Sequence, residues 1–277
     1  GRRQWLPWSI GLLSALVLLG AAQNLTLGAV FSPDLQAFSF NKPRGNFNIV
    51  WQSFTFDNWL SPFSEKSLTE ALWVSLRIGA VSTIISTILG SPIAVALSRY
   101  KFRGSEGINL FLVLPLTTPE IVLGSSLATL FLGQNFVEFG FVTIVIAHIM
   151  FQVSFVALTV RARIRGFDWT LEQAAQDLGA SPLRTFWKVT FPLILPGILA
   201  AGLLAFALSI DDFIITFFNA GSTVTFPLQI YGAARVRIPP QINVLASMIL
   251  FASVAILLIG TITGARRQAS MMGSRPK

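Results

Sequence analysis

Residues 172–196 read EQAAQDLGASPLRTFWKVTFPLILP, a polar island between two long apolar runs. Its local signals are strong. Thr170 with Gln173 predicts a capping box that opens a helix, and Asp168 offers an alternative cap. Gly179 can take the left-handed conformation that closes such a helix. Ser181 followed by Pro182 restarts a second one, because proline is tolerated at the first helical position. Phe191-Pro192 and Leu195-Pro196 are expected to stop it. The unit reads as helix, glycine turn, short helix, proline stop. An amphipathic element resting on a bilayer would also account for a polar loop of this kind.

What flanks the island decides the solvent. The 277 residues are 53% hydrophobic and 12% charged, about half the charge of an ordinary soluble domain, which points to lipid. Zero Cys excludes a disulfide scaffold, a zinc finger and a thiol nucleophile. The net charge of +8 would suit nucleic acid only if it formed a basic face with readout residues, and the basic residues instead cluster at segment ends, so no nucleic-acid partner is expected. Six continuous apolar stretches are long enough to cross a bilayer: 8–30, 72–97, 108–132, 140–160, 197–218 and 243–263. Continuous runs, unlike alternating ones, argue for helices and against a barrel. Arg2, Arg3 and the apolar run from Trp5 imitate a signal peptide, but the run is too long and more spans follow, so it reads as an uncleaved first helix.

Lysine and arginine bias orients the spans. With the N-terminus inside, 14 of the 20 basic residues fall on the cytoplasmic side, 5 fall outside (Lys42, Arg44, Lys66, Arg235, Arg237), and Arg77 lies within a span. The expected organisation is a first transmembrane helix (1–31), an extracytoplasmic loop (32–67), a five-helix core (68–264) carrying a cytoplasmic loop (161–196), and a cytoplasmic tail (265–277). The 32–67 loop is too long for a hairpin, and Trp51 and Trp59 are expected near the membrane interface.

Polar residues inside the spans are the candidates for chemistry. Arg77 reads as a snorkelling side chain, with a charge pair to another span as the alternative. Pro115 and Pro119 are expected to break the third span at mid-membrane, acceptable only where protein or a wet cavity covers the freed carbonyls. Glu120 then lies roughly 18 Å into the span and Asp211 roughly 21 Å into the fifth, at 1.5 Å per residue. Glu120 and Asp211 at one level, with Asp212 and with Phe213 and Phe217 as walls, suggest an acidic, aromatic-lined passage suited to ammonium groups; successive helical positions point about 100° apart, so only one aspartate need face it and the other can anchor a neighbouring helix. Pairing of these acids within the bundle is the structural alternative. His148 and Gln152, four apart on one helix face, read as an interhelical hydrogen-bonding pair and not as a metal site.

Glu172-x-Ala174-Ala175 with Gly179, Phe186, Phe191-Pro192 and Leu195-Pro196 resembles the EAA loop of ABC importer permeases. The resemblance implies an all-α fold of six transmembrane helices, the type I importer permease, with both termini inside. It also implies that Glu172, Ala174, Ala175, Gly179, Pro182 and Phe186 dock on an ATPase, the two alanines keeping a helix face small enough to enter a groove. Gln173 departs from the alanine of the motif's name. Pro119-Glu120-Ile121-Val122-Leu123-Gly124, Asp211-Asp212-Phe213, Pro227-Leu228-Gln229-Ile230-Tyr231 and Ile238-Pro239-Pro240-Gln241 further resemble the second permease of spermidine/putrescine importers, with iron, thiamine, opine and phosphonate permeases as relatives. Implied partners are a second permease, two ATPase subunits and an extracytoplasmic solute-binding protein, in a bacterial inner membrane. No G-x-x-x-x-G-K-[ST] loop occurs, so no cofactor is expected on this chain, and ATP and Mg²⁺ would sit on the ATPase subunits. An ion-gradient-driven transporter and a non-transporting scaffold are the competing classes.

Overall fold

The computed structural model describes residues 36–252 apart from 101, 135 and 136, together with residue 255. The expected first span and the C-terminal tail lie outside the described residues, as does the sixth span beyond 255. Among the described residues the helices are Asp57–Leu60 (α1), Lys66–Arg99 (α2), Ser105–Thr117 (α3), Glu120–Gln134 (α4), Phe141–Ile164 (α5), Thr170–Asp177 (α6), Pro182–Thr185 (α7), Phe191–Asp211 (α8), Ile214–Asn219 (α9), Phe226–Ala233 (α10) and Pro240–Ala252 (α11). Pairing between extended segments is confined to two isolated bridges there. Three helical stretches, Lys66–Arg99, Phe141–Ile164 and Pro182–Asp211, are long and apolar enough to cross a membrane, and a fourth arises if α3 and α4 count as one broken span.

The break between α3 and α4 bends the chain by 107°. It falls at the second proline, while Pro115 stays inside α3. Pro119 disfavours the helical region for the residue before it, and Thr118 accordingly turns extended, with φ −80° and ψ 133°. The Thr117 and Thr118 hydroxyls donate to the Leu114 carbonyl at 3.1 and 2.7 Å, beside the Thr118 N–H at 3.0 Å, so the bend meets the lipid with both hydroxyls satisfied.

The expected proline stop after residue 190 does not occur. A π turn over Phe186–Thr190 leads straight into α8, with the Phe191 N–H bonded to the Phe186 carbonyl five residues back. Pro192 therefore lands in the first turn of α8, where a missing N–H is tolerated, and Pro196 sits within the helix. The fifth span differs in the other direction. It ends at Asp211, passes through an extended Asp212 (ψ 119°) and resumes as the short helix α9.

Two compact units are present, one formed by Glu70–Gln229 and the other by residues 36–69 with 230–252. In the first, α2, α5 and α8 meet around Ala94, Val156, Val160, Ile164, Ile194, Ala201 and Ala205, all buried. Ala94 on α2 and Ala201 and Ala205 on α8 allow close backbone approach to the branched residues of α5, the usual basis of helix association in lipid. A polar seam runs beside this core: Ser86 Oγ donates to Gln152 Oε1 at 3.0 Å, and Gln152 Nε2 donates to the Ala205 carbonyl at 3.0 Å.

In the second unit buried amides impose order on a segment poor in apolar periodicity. Asn41 Nδ2 donates to Asn48 Oδ1 at 2.7 Å, and Asn58 Nδ2 donates to the Ser39 and Asn41 carbonyls at 3.0 and 2.8 Å. Trp59 donates its indole N–H to Ser39 Oγ at 3.1 Å and stacks on Phe40 at 5.5 Å. This ring is thus a packing element of the loop, while Trp51 stays exposed.

Candidate coupling and translocation sites

The loop between α5 and α8 is built by local chemistry. Thr170 is the first residue of α6 and not its cap, so the Thr170–Gln173 box does not form. Trp169 occupies the cap position, and Asp168 just before it braces the start of the helix: its Oδ1 accepts the Thr170 hydroxyl at 2.7 Å and the Thr170 N–H at 3.0 Å. The hydroxyl first, and then the amide, hold the Asp168 carboxyl below its usual range. At the other end Gly179 has φ +85°. The Gly179 N–H reaches the Gln176 carbonyl at 2.8 Å and the Ala180 N–H reaches that of Ala175 at 3.0 Å, the paired bonds of a Schellman motif. Ser181 caps α7 by accepting the Arg184 N–H at 3.4 Å, with Pro182 opening the helix.

The six residues expected to dock on a partner separate in this structure. Ala174, Gly179 and Pro182 are exposed, Ala175 and Phe186 are half-buried, and Glu172 is buried at 4% exposure. Its Oε2 lies 2.8 Å from Arg99 Nη2 and its Oε1 accepts the Thr190 hydroxyl. The apolar side chains that do face outward here are Leu171, Leu178 (90% exposed), Leu183 and Trp187. Sequence reasoning missed them.

The second site lies where α8 stops. His148 Nδ1 is 2.7 Å from Ser209 Oγ, and His148 Nε2 is 3.2 Å from Asp212 Oδ2 and 3.0 Å from Thr216 Oγ1. Asp212 Oδ2 also accepts the N–H and the hydroxyl of Thr216, each at 2.7 Å. The pairing expected of His148 and Gln152 is therefore present, and it extends to Asp212. This acid is engaged by the bundle, the alternative weighed against a conduit role. Glu120 differs: it is exposed at the start of α4, beside the bend, and interacts electrostatically with Asp212. Asp211 and Phe213 are half-buried and Phe217 is 54% exposed, with the two rings 5.7 Å apart. Gly124 keeps α4 against α9, since a Cβ there would meet Phe218 at 3.0 Å, and Asn219 Nδ2 donates to the Gly124 carbonyl at 3.2 Å. Arg77 is exposed and has no ion-pair partner among the described residues, which leaves the snorkelling reading in place.

The bundle, with a broken span, an interrupted span and a helix–glycine–helix loop, has the fold of subunits of ABC transporters of known structure. The MetNI methionine ABC transporter in inward-facing conformations is similar, with TM-score 0.60 and 16% identity over 74% of this chain and 98% of that one. A bacterial ABC transporter for import of the acidic polysaccharide alginate is similar too, with TM-score 0.58 and 16% identity over 96% and 99%. Residues 86–267 match the family of binding-protein-dependent transport system inner membrane components, and the chain belongs to it. The spermidine/putrescine transport system permease protein PotC of Escherichia coli (strain K12) is 37% identical over 221 residues, 79% of this chain and 83% of that protein. The putrescine transport system permease protein PotI of the same strain is 33% identical over 251 residues, 88% and 86%. The chain is thus an inner-membrane permease subunit of an ABC importer and not an enzyme; ATP hydrolysis belongs to partner subunits.

Proposed function

We propose that this chain forms half of the translocation pathway of a polyamine importer, working beside a second permease, two ATPase subunits and an extracytoplasmic solute-binding protein. The observation that carries the cargo is the identity of 37% and 33% with permeases named for spermidine/putrescine and putrescine transport. A linear polyamine carries protonated amines; the exposed Glu120 beside the bend of the third span, and Asp211 with the Phe213 and Phe217 rings at the interruption of the fifth, supply charge and cation–π attraction for them. Asp212 holds the break through its Oδ2.

Both termini and the 161–196 loop lie in the cytoplasm, where ATP is. The loop enters a groove on an ATPase subunit with the exposed surface of Ala174, Leu178, Pro182 and Leu183, a helix-in-groove contact. Closure of the ATPases moves the loop, and the interrupted spans rearrange around the cargo. This chain needs no cofactor of its own. The test is uptake by the complete complex in liposomes, with labelled putrescine and spermidine challenged by iron, thiamine, an opine and a phosphonate. Polyamine uptake blocked only by other polyamines supports the reading; uptake of one of the other solutes alone overturns it.

A further inference from the structure

We infer that Glu172 works inside this chain, as a positioning residue that ties the coupling helix α6 to two membrane helices, and leaves contact with the ATPase to the exposed leucines. The inference rests on the coupling role proposed for the loop. Glu172 is 4% exposed. Arg99 Nη2 is 2.8 Å from Oε2, Arg99 Nη1 donates to Oε1 at 3.4 Å, and the Thr190 hydroxyl donates to Oε1. Three of the roughly four acceptor positions of the carboxylate are therefore taken from within the chain. The guanidinium is itself fixed, lying 5.5 Å from the Tyr100 ring centroid and 5.7 Å from that of Trp169.

The positions of the two partners supply the mechanical content. Arg99 is the last residue of α2, a 34-residue helix. Thr190 ends the π turn that runs into α8, whose far end carries Asp211 and the break. One buried carboxylate thus binds the coupling helix to the base of α2 and to the base of α8. A displacement of α6 must move both helices or pull the buried carboxylate away from its half-exposed cation, and a buried carboxylate left without its partner is destabilising. Meanwhile Leu178 and Leu183 are 90% and 70% exposed among the described residues.

The test uses the complete complex in liposomes and reads two quantities: ATP hydrolysed per cargo imported, and the ATPase subunits retained on purification. Glu172→Gln, which keeps an acceptor for Thr190 and loses the charge, and Arg99→Ala are each expected to raise the ATP-to-cargo ratio about fivefold while retaining the ATPase in wild-type amount. The charge swap Arg99→Glu with Glu172→Arg is expected to return the ratio to within about twofold of wild type. Leu178→Asp is expected to lose the ATPase. Loss of the ATPase from Glu172→Gln with Arg99→Ala unaffected would make Glu172 a docking residue and overturn the inference. So would a wild-type ratio in Arg99→Ala, or a swap no better than the single changes. A wild-type complex that imports no polyamine overturns the cargo reading alone. The inference is then decided without cargo, by whether Glu172→Gln and Arg99→Ala keep the ATPase and shift its basal rate about fivefold.

Discussion

Asp212 Oδ2 accepts the backbone N–H of Thr216 at 2.7 Å, so the second acid of the Asp211-Asp212 pair caps the helix that follows it. An interrupted helix exposes donors that lipid cannot satisfy, and a carboxylate is a strong acceptor for them. His148 and the Thr216 hydroxyl take the remaining contacts of the same oxygen. One of the two adjacent aspartates is thus a fastening for the interrupted span.

Asp212→Ala removes the cap and leaves buried His148 and Thr216 short of a partner. The expected cost is about 3 kcal/mol. Thermal unfolding of the purified complex in detergent checks it: a clearly lower midpoint is expected, with Asp212→Asn, which keeps an acceptor, falling between.

Glu120→Gln should behave in the opposite way. With its carboxylate exposed and not holding the break, its loss is expected to leave the unfolding midpoint unchanged and to raise the KM for polyamine roughly tenfold, the worth of one charged contact. Initial rates of uptake against cargo concentration measure this; an unchanged KM removes Glu120 from the pathway.

Gly179 has open space around the position of a Cβ but a φ of +85°. Gly179→Val is therefore penalised by conformation and not by a clash, at about 1–3 kcal/mol. Asparagine tolerates this region, so Gly179→Asn is expected to transport near the wild-type rate while Gly179→Val loses coupling. Parallel assays of ATP hydrolysis and uptake compare the two.

Acidification should loosen the start of α6. Asp168 has a folded value below its ordinary 3.8, held there first by the Thr170 hydroxyl. A depressed carboxyl contributes stability in full above its unfolded value, and that contribution is lost as pH falls below 3.8 towards the folded value. Amide hydrogen exchange at Thr170, corrected for intrinsic rates, is expected to accelerate over that interval in wild type and to be already fast in Asp168→Ala.

Which parts of this were legible follows from the range of the interactions. Gly179 and Ser181-Pro182 are local turn chemistry, and the structure has both as the sequence implies. Pro119 bends the chain because proline acts on its immediate neighbour. Pro192 and Pro196 mislead for the same reason: a π turn ahead of them alters the register, and nothing in their own identities signals it. Glu172 turns inward because of Arg99, 73 positions away, which the sequence presents only as one more basic residue at the end of a span. The cap formed by Asp212 was within reach, since a helix interrupted at an acid four residues before a threonine offers that bond. The exposure of Leu178 depends on what the rest of the chain leaves uncovered, and no window of sequence contains that.

The central claim is that motion in this subunit comes from ATP-hydrolysing partners through the 161–196 loop. The most direct measurement is polyamine uptake by the reconstituted complex under two separate energy supplies: ATP with every ion gradient collapsed, and an imposed proton or sodium gradient without ATP. The account predicts uptake with ATP alone, abolished when Gly179→Val breaks the loop turn, and none with a gradient alone. Uptake driven by the gradient and indifferent to ATP would contradict it.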